Sequence, residues 1–174
     1  DARTIDQPRC ALAGKNARDR PHRLSRPVWD RLDRCAIHRP MRAKDHGFRQ
    51  PAEWARHLAV WTAWPHLADE WAEGLDGPRA SLAQMITAIV DRGPVGPRGE
   101  RVELLCQDAA IEADARHRLG PAAAGVRFHR AYYGDVWLRD TGPIFLTHGH
   151  ERAAACFHWN GWGGKYLMPG DASV

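Results

Sequence analysis

The sequence predicts an α/β fold, and three observations carry that expectation. Leu58 to Trp64 reads LAVWTAW, a short run of aromatic and β-branched residues with small residues between them, as in a buried strand. Gly77 to Gly93, GPRASLAQMITAIVDRG, places its apolar residues at helical spacing. RVELLC and GVRFHRA then return to strand-like runs with a second helical stretch between them. The alternation recurs about every thirty residues, which favours small repeated α/β or α+β units with mixed sheets over one large doubly wound sheet.

Each element is set by local chemistry. A Trp-Pro-His break (Trp64 to His66) ends the first strand. In the first helix Pro78 occupies the opening turn, where a missing N–H breaks no hydrogen bond, and Leu82, Met85, Ile86, Ile89 and Val90 form one stripe before Gly93. Gly93 to Gly99 is a polar loop whose prolines remove the N–H donors a phosphate cradle needs, which argues against nucleotide binding. Asp108 is the expected N-cap of a helix from Ala109 to Leu119, and Gly120 its stop. PIFLTH and ERAAACFHW flank His148-Gly149-His150 and read as a β-hairpin. Trp54, Trp61, Trp64 and Trp71 are expected to build one side of the core, and Cys106 and Cys156 to be buried strand residues rather than nucleophiles.

The formal charge of +4 invites an anionic partner, but its placement does not support one. Residues 1–40 hold ten Lys/Arg against five Asp/Glu, whereas residues 41–174 hold fifteen against sixteen, so the basic character belongs to the leader. Trp29 is the leader's only aromatic residue, and nucleic-acid binding loses its support. The leader contains no apolar run resembling a signal peptide or a membrane span. Residues 1–40 lack helical or strand periodicity and are expected to be disordered, with Met41 the natural start and residues 41–174 the truncated N-terminal part of a catalytic domain. A chain opening on Asp1 and stopping at Val174 within an extended segment is expected to be a fragment. Cys10, Cys35, Cys106 and Cys156 show neither CxxC pairs nor a disulfide framework, which fits a reducing, cytoplasmic setting.

The chemistry concentrates in Asp135 to Pro143, DVWLRDTGP, expected at a strand end where the backbone turns sharply. A carboxylate binds a guanidinium through two parallel charge-assisted hydrogen bonds, and an indole covers its flat face. On spacing alone Asp140 reads either as such a carboxylate or as the cap of the Thr-Gly-Pro turn. Trp137 is either a stacking surface or a core residue, and Asp135 and Arg139 read as a local ion pair orienting the turn. FHWNGWGGKY (Phe157 to Tyr166) is the second cluster: Asn160 and Trp162 are placed at a pocket mouth, Trp159 and Gly161 in a packed glycine-rich corner. His148 and His150 read as a solvated hairpin tip rather than a metal site.

PAEWARHLAVWTAWPH (Pro51 to His66), YGDVWLRDTGPIFL (Tyr133 to Leu146) and FHWNGWGGKY together resemble, in the same order, the agmatine deiminase and bacterial peptidyl-arginine deiminase family of the guanidino-group-modifying superfamily. The likeness runs from about Pro51 to Asp171. It implies a five-bladed α/β propeller of ββαβ units, of which this chain would be roughly the first third. It also implies that Asp140 binds the substrate guanidinium and that Trp137 helps form the pocket. The family's Glu, its His and Asp pair and its nucleophilic Cys have no matching position before Val174, so the chain alone is expected to be inactive. GGKYLMPGDASV departs from the family, with Leu167, Met168 and Ala172 where acidic residues are expected.

The implied activity is that of a hydrolase acting on the C–N bonds of linear amidines, without metal or cofactor. A thiolate attacks the guanidinium carbon, ammonia leaves with a proton from His, and water cleaves the S-alkylthiouronium intermediate to a ureido product. With agmatine as substrate the product is N-carbamoylputrescine, on a route to putrescine; with peptide arginine it is citrulline. A non-catalytic binding module using the Trp-rich pocket is the alternative of a different class. A homo-oligomeric full-length protein is compatible with the resemblance.

Overall fold

The computed structural model describes residues 9–12 and 42–171. In chain order the elements are β1 (Arg9–Leu12), β2 (Val60–Ala63), α1 (Asp76–Val90), β3 (Arg92–Gly93), β4 (Gly96–Pro97), β5 (Val102–Cys106), α2 (Ala109–Leu119), β6 (Val126–Arg130), α3 (Leu138–Thr141), β7 (Ile144–His148), β8 (Glu151–Cys156) and α4 (Gly161–Gly164). They fall into two compact units, residues 1–55 with 142–158 and residues 56–141 with 159–174.

The larger unit, residues 56–141 with 159–174, is built on a parallel sheet of order β2-β5-β6. Helix α1 connects β2 to β5 and α2 connects β5 to β6, as parallel neighbours require. Every β5 residue is buried, and alternation along the strand divides them between two faces. Val102, Leu104 and Cys106 face the helices and pack with Ala83, Ile86 and Val90 of α1, Ala115 and Leu119 of α2, and Trp64. Each large aliphatic side chain buried there contributes about 1.5–3 kcal/mol. Leu105 lies on the other face with Ala63 and Tyr133, where residues 131–138 fold back across the sheet.

The helix boundaries are decided by the residues at their ends. The Asp108 side chain accepts the Ile111 N–H at 2.8 Å and starts α2, while Gly120 at φ 51° ends it, both as the sequence predicts. Helix α1 stops at Val90, earlier than Gly93, because Asp91 itself turns left-handed (φ 36°) and pairs with Arg98 at 2.8 Å. The freed Ile89 carbonyl accepts from the Glu100 N–H at 2.8 Å.

The smaller unit is antiparallel, with order β1-β8-β7. The predicted hairpin is present as β7 and β8, and Arg49 bridges Thr147 on the outer side of β7. Phe48, Leu146 and Ala153 form its core, and the ring of His148 at the hairpin tip meets Phe48 edge-on at 5.7 Å. The sequence reading assigns no strand to the leader; Arg9–Leu12 pairs with β8, and the remainder of the leader and Met41 lie outside the described residues.

Several expectations are corrected. Parallel and antiparallel strands occupy separate sheets rather than mixed ones, because the hairpin takes its partner from the smaller unit. Of the four tryptophans only Trp64 is in the core: Trp54 lies outside any strand and is 91% exposed, and Trp61 has the opposite parity to Trp64 along β2 and its end. Met85 sits on the flank of the α1 stripe and is exposed. Cys156 is also exposed: Ala153 and Ala155 pack inward on β8, and Cys156 has the opposite parity.

Candidate functional site

The segment after β6 is fixed from the sheet before its functional residues begin. Tyr133 is buried, its N–H donates to Gln107 Oε1 at 3.4 Å, and its hydroxyl reaches the Trp64 carbonyl at 2.5 Å and the Leu105 carbonyl at 3.3 Å. Burial pushes its phenol up, so it remains a donor. Gly134 then passes so close to residues 168–171 that a Cβ there would lie 2.5 Å from Asp171 Oδ1. Asp171, buried, accepts the Asp135 N–H at 2.9 Å.

Beyond Val136 the backbone makes a helical turn, not the strand end that the sequence predicts. The Trp137 carbonyl accepts from the N–H groups of Asp140 (3.0 Å) and Thr141 (3.3 Å) and from Thr141 Oγ1 (3.4 Å), which closes α3 around it. A spacing of three residues on a helical turn makes Trp137 and Asp140 neighbours, whereas on a strand they would point apart. Trp137 is 59% exposed, and Asp140 is exposed with no hydrogen bond or ion pair on its carboxylate among the described residues. The turn is thus closed by the backbone and not by an Asp140 cap.

Acidic groups surround this turn. Burial raises the carboxyl of Asp135 above the ordinary aspartate range, opposed by the Val136 N–H it accepts at 2.6 Å and reinforced by the charges of Asp171, Glu70 and Asp140. Three carboxylates from three chain segments therefore bear on that of Asp135. Glu70 also accepts a hydrogen bond from the Tyr166 hydroxyl, and this bond holds the phenol at about 12. Trp137 and Arg139 also line a groove of about 790 Å³ with Trp61, Trp71 and Met85, between β2 and α1.

The second cluster forms a left-handed turn. Gly161, Trp162, Gly163 and Gly164 have φ of 60°, 56°, 74° and 82°, and the Gly164 N–H donates to the Asn160 carbonyl at 2.8 Å. Three glycines tolerate this backbone freely, but for Trp162 it costs about 1–2 kcal/mol. Asn160 Oδ1 accepts the Gly163 N–H at 3.0 Å, so its side chain shapes the turn. Trp162 is exposed and meets Trp159 edge-on at 5.2 Å, while the Trp159 indole nitrogen is buried with no partner among the described residues.

Sequence reasoning named Asp140, Trp137, Asn160 and Trp162 but missed Glu70, Tyr166 and Asp171. Asp171 stands near the end of the stretch GGKYLMPGDASV. Its importance lies in its burial against Gly134, which no local pattern announces. Cys106 is buried, as the sequence reading expects, and burial pushes its thiol up to about 12, away from the thiolate form.

The model of the Porphyromonas-type peptidyl-arginine deiminase family matches residues 49–174. The agmatine deiminase of Ectopseudomonas mendocina is 34% identical over 119 residues, covering 68% of this chain and 30% of that protein. The putative agmatine deiminase of Streptomyces avermitilis is 37% identical over 120 residues, covering 68% of this chain and 32% of that protein. A solved structure of a putative agmatine deiminase superposes with a TM-score of 0.62 at 27% identity, covering 75% of this chain and 35% of that one. The chain thus spans about a third of the length of the relatives it matches. On the family match and these identities, the chain belongs to the Porphyromonas-type peptidyl-arginine deiminase family.

Proposed function

We propose that this chain supplies the guanidinium-holding part of an agmatine deiminase, with Asp140 as the carboxylate that binds the guanidinium and Trp137 as the pocket wall. The observation that carries the reading is an exposed carboxylate, free of hydrogen bonds among the described residues, one helical turn from an exposed indole. The Glu70, Asp135 and Asp171 carboxylates add a negative field favourable to a cation. Trp162, exposed on the turn that Asn160 caps, is the residue we assign to the pocket mouth.

In the whole protein the reaction would be hydrolysis of agmatine to N-carbamoylputrescine and ammonia through a Cys-bound thiouronium. Binding by Asp140 fixes the planar carbon for attack, and positioning of this kind removes a large share of such a barrier. The ββαβ units of a five-bladed propeller are the proposed frame, of which the parallel α/β unit is one part. Agmatine is preferred because the curated relatives carry that name. The family model's own description favours peptide arginine as the second reading.

Calorimetric titration of the chain with agmatine, putrescine and a peptide ending in arginine tests both. Agmatine is expected to bind at least ten times more tightly than putrescine, which keeps an amine but lacks the guanidinium. Equal affinity for the two diamine skeletons would sink the proposal, and preference for the peptide would select the second reading.

A further inference from the structure

We infer that Asp171 is a positioning residue for this site, acting on Trp137 and Asp140 through the backbone amide of Asp135; the inference rests on the proposal that Asp140 binds a guanidinium. Asp171 is 3% exposed, so its carboxylate does not meet a ligand arriving from solvent. Its Oδ1 instead accepts the Asp135 N–H at 2.9 Å, two residues before Trp137.

The fit around this bond leaves little alternative. A Cβ on Gly134 would lie 2.5 Å from Asp171 Oδ1, 2.7 Å from the Met168 Cβ and 2.9 Å from the Pro169 carbonyl oxygen. A Cβ on Gly170 would lie 2.7 Å from the Tyr133 carbonyl carbon and 2.8 Å from the Gly134 nitrogen. The two backbones therefore interlock through a pair of glycines, and the carboxylate locks the register between them. Tyr133 fixes the same segment from the sheet side through Trp64 and Leu105. Held at both sides, the chain enters α3 with one direction, which decides where the indole and the Asp140 carboxylate project.

A buried side-chain oxygen with no partner would carry a desolvation cost, which the hydrogen bond to the Asp135 amide offsets. Asp171 also stands near Asp135, whose own carboxyl it helps to raise. The geometry assigns it to the backbone, because its hydrogen bond is to the amide.

The experiment compares agmatine binding by the 174-residue chain carrying Asp171→Ala, Asp171→Asn or Gly134→Ala, together with Asp140→Asn. Asp171→Ala and Gly134→Ala are expected to weaken binding at least tenfold. Asp171→Asn, which keeps an acceptor oxygen, is expected to stay within about threefold of the parent. Hydrogen exchange should quicken at the Asp135 amide in Asp171→Ala while the β5 amides Leu104 and Leu105 keep their protection. That last readout separates positioning from general loss of structure, and remains decisive if one variant folds poorly. Unchanged affinity in Asp171→Ala, equal losses in Asp171→Asn and Asp171→Ala, or parallel loss of protection throughout β5 would each overturn the inference. Asp140→Asn tells the two readings apart: full affinity there, or no binding by the parent chain, would bring down the guanidinium reading and this inference with it, whereas a loss there with Asp171→Ala unaffected would overturn this inference alone.

Discussion

Trp64 donates its indole N–H to Asp114 Oδ2 at 2.9 Å, joining the end of β2 to the middle of α2. The same carboxylate takes Arg79 at 3.2 Å and Arg118 at 3.0 Å, so one side chain gathers three donors at the edge of the core. Burial opposes its ionisation, but the hydrogen bonds from Arg118 and Trp64 and the Arg79 charge outweigh that and hold its carboxyl below the ordinary range.

Asp114→Ala is expected to cost about 1–3 kcal/mol, because the fully buried indole loses its acceptor. A depressed carboxyl contributes stability above the unfolded aspartate value and loses it as pH falls through the folded one. Urea unfolding should therefore show a shallower acid-side loss of stability in Asp114→Ala than in the parent, and identical slopes would refute the assignment.

Asp135 behaves in the opposite sense. Its raised carboxyl favours the folded state below the unfolded aspartate value, and that advantage disappears as pH rises through the folded one. Asp140→Asn removes one of the charges that raise it. Carbon-detected NMR titration should find the Asp135 carboxyl lower in that variant, and an unchanged titration would mean that the two groups are not coupled.

Cys106 should resist alkylation in the folded chain at pH 8, since its thiol is buried and held at about 12. Peptide mapping after iodoacetamide is expected to find Cys156 modified and Cys106 modified only after denaturation. Native-state labelling at Cys106 would contradict the packing of β5 against the two helices.

Gly163→Ala isolates a backbone effect, because a Cβ at Gly163 meets nothing within 4 Å while its φ is 74°. The expected loss is about 1 kcal/mol, read as a lower denaturation midpoint with an unchanged slope. A stabilised variant would show that the left-handed turn is not kept in solution.

The legible parts of the fold are those with two independent local signals. Helix α2 has Asp108 before it and Gly120 after it, and both of its ends match the sequence reading. In α1 the stripe is legible but not the end, because Asp91 takes a backbone conformation normally left to glycine. The proposed site is legible at Asp140 and Trp137 as residue types, yet its backbone is not: the turn closes on the Trp137 carbonyl, after a segment held by hydrogen bonds of Tyr133 and Asp171. Glu70, Tyr166 and Asp171 stay hidden because their role comes from proximity in space between distant segments. Trp61 and Trp64 look alike in sequence, and only their opposite facing separates an exposed ring from a core one.

The Arg49 to Thr147 bridge has a consequence for how this chain is made. Both backbone hydrogen bonds of that pair, at 3.0 and 2.9 Å, join residues with everything from β2 to α3 between them. On a ribosome, β2, α1, β5, α2 and β6 all emerge before β7 does, so their short-range crossovers can close while Arg49 still waits for its partner. Contacts of high sequence separation form late and slowly. The β2-β5-β6 sheet is then the natural nucleus, and the antiparallel sheet closes after it.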